Sequence, residues 1–132
     1  MAAGRGRGSA KSGALVAGAA LLCALALMAP AAEAGTTYVV GDDAGWTRHL
    51  QSWWLAGKTF RAGDVLVFKY DRSKHDLVVV TRSWFKKCAA PRGARVLNSG
   101  YDKVTLHRGT RYFICSKPGH CDAGMKLAVK VY

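Results

Sequence analysis

Acidic side chains are scarce in this sequence: 8 Asp and Glu stand against 20 Lys and Arg, a formal net charge of +12. There is no internal repeat, so no solenoid is built here, and no low-complexity tail. The single asparagine, Asn98, is followed by Ser99-Gly100, so no Asn-x-Ser/Thr acceptor for N-glycosylation is present. The basic residues are not gathered into a run either. They are scattered from Arg48 to Lys130, which argues against nucleic acid as a partner. Setting aside Arg5, Arg7, Lys11 and Glu33 leaves 17 Lys and Arg against 7 Asp from Gly35 onward. The expected counterparts of such a surface are an acidic polysaccharide, an anionic redox partner or a membrane surface, with steering that fades as salt rises.

The first 34 residues read as a secretory signal. Arg5, Arg7 and Lys11 form a basic start, Ala14 to Met28 is an uninterrupted small-to-apolar run, and Ala32-Glu33-Ala34 follows Pro30 as a small-x-small cleavage site. An uncleaved anchor is the competing reading of that run. With cleavage, the chain begins at Gly35 and carries no stable membrane anchor. Residues 35 to 132, 98 in all, make one domain with one core, expected to be a monomer.

Cys23 leaves with the signal, so three cysteines remain: Cys88, Cys115 and Cys121. An odd count in an oxidising compartment calls for one disulfide and one thiol with another job. If Cys121 pairs with Cys88, Cys115 is free for a metal. In Cys115-Ser-Lys-Pro-Gly-His120-Cys121-Asp-Ala-Gly-Met125 a thiol, an imidazole and a thioether recur at five-residue steps. With a second histidine from elsewhere, these donors suit copper in both of its oxidation states. A closed zinc site of Cys115, Cys121, His75 and His120 is the alternative, but it leaves Cys88 unpaired and gives Met125 no role. His49 and His107 lie outside any ligand spacing and read as ordinary exposed residues. Trp46, Trp53, Trp54 and Trp84 read as core or flank residues and not as electron relays.

Strand-like runs rich in β-branched and aromatic residues cover Thr36–Val40, Val65–Tyr70, Leu77–Thr81, Lys103–Leu106, Tyr112–Cys115 and Lys126–Tyr132. Arg61-Ala-Gly-Asp64, Pro91-Arg-Gly93, Asn98-Ser-Gly100 and His107-Arg-Gly109 punctuate them as turns. Six or more strands in so short a chain predict an all-β sandwich. One short helix is expected over Ser83–Cys88, and an irregular piece between Trp46 and Ala56. Cys115 then ends a strand, Met125 opens the last one, and His75 sits where a turn enters a central strand.

Over residues 36 to 132 the chain resembles the phytocyanin family, nearest to its plantacyanin branch. The likeness runs through Tyr38-Val-Val-Gly41, Gly45-Trp46, Gly57 to Tyr70, His75-Asp-Leu-Val-Val-Val80, Cys88, Ser99-Gly100, Tyr112-Phe-Ile-Cys115 and Gly119 to Lys126. It implies a Greek-key cupredoxin sandwich holding one type 1 copper on His75, Cys115, His120 and Met125. It also implies a Cys88–Cys121 disulfide and an extracellular, cell-wall setting. Met125 separates this chain from stellacyanin-like members, which have Gln there. Two departures stand out: Asp76 where many members have Asn, and Trp53-Trp54-Leu55-Ala56 in place of a shorter Trp-Pro-x.

The function expected is one-electron transfer, with His120 as the edge through which electrons pass, and not enzymatic turnover. The competing expectation is an extracellular interaction or signalling protein, bound to acidic wall polysaccharide, for which copper is structural or incidental.

Overall fold

The computed structural model describes residues 35–132. The expected signal, residues 1–34, lies outside the described residues. Two sheets form. In the first, β1 (Thr37–Val39) runs parallel to β2 (Val65–Lys69), and β2 pairs antiparallel with β5 (Tyr101–Thr105). In the second, β4 (Val96–Leu97), β3 (Leu77–Val80), β6 (Gly109–Ile114) and β7 (Lys126–Val131) lie in that order, all antiparallel. The chain crosses between sheets from β2 to β3, from β4 to β5 and from β5 to β6, which is the expected Greek-key sandwich. Two short helices accompany it, α1 (Leu50–Trp53) and α2 (Arg82–Lys87), with a 3-10 turn over Asp42–Ala44.

Alternation along the strands builds the core. Leu127, Val129 and Val131 of β7 are buried on one face of that strand, and Leu66 and Phe68 of β2 with Phe113 of β6 join them in the same core cluster. The Phe68 and Phe113 rings meet with centroids 5.0 Å apart. Leu77 and Val78 of β3 are both buried, and belong to different clusters. Val78 joins Ile114 and Cys121 under Phe85 of α2, so the first half of β3, Leu77 and Val78, is covered on both faces.

Several boundaries differ from expectation. β5 begins at Tyr101 and β6 at Gly109, ahead of the apolar runs, because Tyr101 and Asp102 pair with Lys69 and Phe68 of β2, and Thr110 and Arg111 with Lys130 and Val129 of β7, through the backbone ladder. β4, only two residues long, exists by pairing with Leu77 and Val78. The segment read as irregular contains α1. Its Gln51 side chain donates to the Ala128 carbonyl (3.2 Å) and accepts the Ala128 N–H (2.7 Å), so it docks on β7 like a neighbouring strand. Trp54 is buried with its Nε1 donating to Asp42 (3.2 Å), whereas Trp53 faces solvent.

Tyr70, just after β2, donates its hydroxyl to the buried Asp102 of β5. Burial, and then the Asp102 carboxylate, push its phenol from 10.0 up to about 12. The folded value lies above the ordinary one, so protonated Tyr70 gives stability that is complete below pH 10 and lost as the pH rises through about 12. Tyr70→Phe leaves Asp102 with Ser99 alone and should cost about 1–3 kcal/mol at neutral pH in urea unfolding. It should also flatten that alkaline decline. A variant as stable as its parent would mean that Ser99 suffices.

Candidate metal centre

Strand register brings three separate chain segments to one end of the second sheet. Val78 pairs with Ile114, so His75, before β3, and Cys115, after β6, lie at the same end. Ile114 pairs with Lys126, which sets Met125 beside Cys115. Met125 precedes the last strand and does not form its first residue. The ligand-capable atoms of His75, Cys115 and His120 all lie within 4.8 Å of one another. The two Nδ1 atoms are 3.0 Å apart, and the Cys115 Sγ is 4.0 Å from that of His75 and 3.5 Å from that of His120.

Backbone bonds fix the loop that carries these groups. The Cys115 N–H donates to the Met125 carbonyl (3.1 Å) and the Met125 N–H to the His120 carbonyl (3.0 Å). Gly124 takes φ +101°, and a Cβ there would fall 2.8 Å from His49 Nδ1, so this turn demands glycine. His49, read as ordinary, therefore packs against the ligand loop, and its N–H donates to the Gly124 carbonyl (2.9 Å). It is nonetheless exposed, as is His107. The Cys88–Cys121 disulfide joins the end of α2 to the residue after His120. With the Cys121 sulfur so engaged, the zinc set of Cys115, Cys121, His75 and His120 does not assemble.

Cys115 and Met125 are fully buried, while His75 and His120 are partly exposed. Burial pushes the Cys115 thiol up, opposed by backbone N–H groups of Asp76 and Lys117. Burial, and next the charge of His120, hold His75 below its usual value, which favours the neutral imidazole that binds metals. A raised thiol pKa means that a metal binding here would have to displace the thiol proton.

Two supports surround the cluster. Asp76 is buried and accepts the Ser116 N–H (2.6 Å) and hydroxyl (2.5 Å), so the residue after His75 clasps the residue after Cys115. The Trp46 Nε1 donates to the Asp76 carbonyl (3.0 Å) while its ring stands edge-on to Phe68, centroids 5.1 Å apart. Asp76 was visible in the sequence as a departure. Nothing in the spacing of Trp46 assigned it to this place.

A two-sheet Greek-key sandwich that gathers one thiol and two imidazoles at the end of a sheet, with a buried methionine on the same loop, is a cupredoxin. The residues present fit copper: soft sulfur and borderline imidazole donors, with no carboxylate in the cluster among the described residues. Residues 46–125 match the plastocyanin-like domain family. The chain is 53% identical over 125 residues to chemocyanin of Lilium longiflorum, which covers 95% of this chain and 96% of that protein. It is 51% identical over 92 residues to the basic blue protein of Cucumis sativus, covering 70% of this chain and 95% of that one. Its structure matches that of cucumber basic protein, a blue copper protein, with TM-score 0.70 and 49% identity over 74% of this chain and 100% of the other. The chain belongs to the phytocyanin family of blue copper proteins, and its cofactor is type 1 copper.

Proposed function

We propose that the protein is a secreted, monomeric one-electron carrier of the cell wall, with copper held by His75, Cys115, His120 and Met125. The observation that carries this reading is the convergence of the His75, Cys115 and His120 donor atoms within 4.8 Å. When bound, copper supplies a one-electron couple that this donor set suits in both states. The chain itself supplies restraint and shielding. Two backbone bonds, the Asp76–Ser116 clasp and the disulfide hold the donors where they are, which keeps rearrangement on electron transfer small. Burial of Cys115 and Met125 keeps water from the sulfur donors. Partly exposed His120, beside exposed Pro118 and Gly119, offers the edge a redox partner would approach. All four donors are protein side chains, which favours transfer over turnover of a substrate.

The excess of positive charge supports a second reading, an extracellular interaction or signalling protein held to acidic wall polysaccharide. It equally suits an anionic redox partner. Among the described residues no helix is long and apolar enough to cross a membrane.

Met125→Gln tests the ligand assignment. An amide oxygen is harder than a thioether and favours Cu(II), so the reduction potential should fall by about 60 mV for each tenfold gain in that preference. The blue colour should persist. An unchanged or raised potential with copper bound would show Met125 to be packing only.

A further inference from the structure

The open edges of the two sheets meet away from the ligand loop. β4 ends the four-stranded sheet and β5 the three-stranded one, and a cleft of about 340 Å³ lies against them. Arg95, Lys103 and His107 contribute positive or titratable groups to it, and Val79, Leu97 and Val104 an apolar wall. Among the described residues no carboxylate lines the cleft. The acid of β5, Asp102, is buried and engaged by Tyr70 and Ser99. The Arg111 guanidinium, bonded to the His107 carbonyl (2.9 Å), adds another positive charge beside His107.

Val79 is 42% exposed, although Leu77 and Val78 of the same strand are fully buried. Cations on edge strands discourage edge-to-edge pairing, but that purpose needs no exposed apolar wall. A simple inorganic anion needs the cations alone, and an apolar ligand needs the wall alone. A pyranose ring bearing a carboxylate uses both: its C–H face lies on valine and leucine while the carboxylate reaches a guanidinium or ammonium. The volume is at the small end of the range for small-molecule sites.

We propose that this cleft binds a uronate unit of an acidic polysaccharide, an assignment that rests on the polysaccharide reading above and gives it a place on the molecule. The cleft shares no residue with the segment from Cys115 to Met125. A uronate unit seated there touches none of the residues from Cys115 to Met125, so wall attachment and electron transfer use different parts of the molecule.

Calorimetric titration of the copper-loaded protein with trigalacturonate at low ionic strength tests the assignment. Arg95→Gln/Lys103→Gln should weaken binding about tenfold or more, with the blue band unchanged as the sign of an intact fold. Lys86→Gln/Lys130→Gln removes the same charge elsewhere and should stay within about twofold of the parent. The methyl ester of trigalacturonate should bind as poorly as the cleft variant does to the acid. Equal losses in both double variants would replace the cleft with diffuse surface charge and leave the polysaccharide reading standing. Inorganic phosphate binding as tightly as trigalacturonate would reduce the cleft to a plain anion site. Failure of the parent to bind either trigalacturonate or polygalacturonate would overturn the cleft and the polysaccharide reading together.

Discussion

Cys115→Ser should abolish the intense visible absorption of the oxidised, copper-loaded protein while leaving its sheets intact. The colour of a blue copper centre needs a thiolate bonded to Cu(II), and Cys115 is the only cysteine among the described residues outside a disulfide. Serine is nearly isosteric and puts a hydroxyl in the buried place of the thiol. Burying that hydroxyl should cost about 1–3 kcal/mol, which the sandwich can absorb. Visible absorption and far-ultraviolet circular dichroism of parent and variant decide the matter. A variant that keeps the blue band would remove Cys115 from the site.

Removing the disulfide should have the largest effect on stability. Cys88 and Cys121 are 33 residues apart in sequence, and closing a loop of that size is worth about 4 kcal/mol in the chain-entropy model. For a domain of this size that corresponds to a fall of about 20 °C in Tm. The Cys88→Ala/Cys121→Ala pair is the suitable variant, since a single replacement would leave a second free thiol near the proposed ligands. Both sulfurs also sit in the cluster of Val78, Ile114 and Phe85 that covers the outer face of the second sheet. The loss should therefore loosen the loop at His120 as well, broadening the visible spectrum of the copper form. Calorimetry showing a fall of only a few degrees would mean that the backbone bonds from Cys115 to Met125 hold the loop without the bridge.

Much of the site was legible because its donors are chemically distinctive residues in a short run. Cys115, His120 and Met125 occupy one loop, and an odd cysteine count marked a thiol with a separate task. His75 was legible as a histidine where a turn enters a central strand, and the family resemblance named it as a ligand; sequence distance alone does not reveal that its strand pairs with the one ending before Cys115. The supports were less visible still. Trp46 bears on the centre through one indole N–H to a carbonyl 30 residues away, and His49 through its contact with Gly124. Neither residue type carries a metal-site signature at that spacing. Strand ends were missed for a related reason: Thr110 and Arg111 are held by ladder hydrogen bonds, which any side chain permits.

The sequence by itself determined the fold class, through alternating apolar runs and glycine turns, and the donor chemistry, through residue types that suit copper. Tertiary structure alone decided how the pieces meet. The register of β3, β6 and β7 sets His75, Cys115 and Met125 at one end of a sheet, because a backbone ladder fixes relative position to a single residue step. It also decided that Asp76 turns its carboxylate onto Ser116, and that the sheet edges leave Val79 open beside Arg95 and Lys103. Those relations join residues far apart in the chain, and only packing in three dimensions brings them within reach of one another.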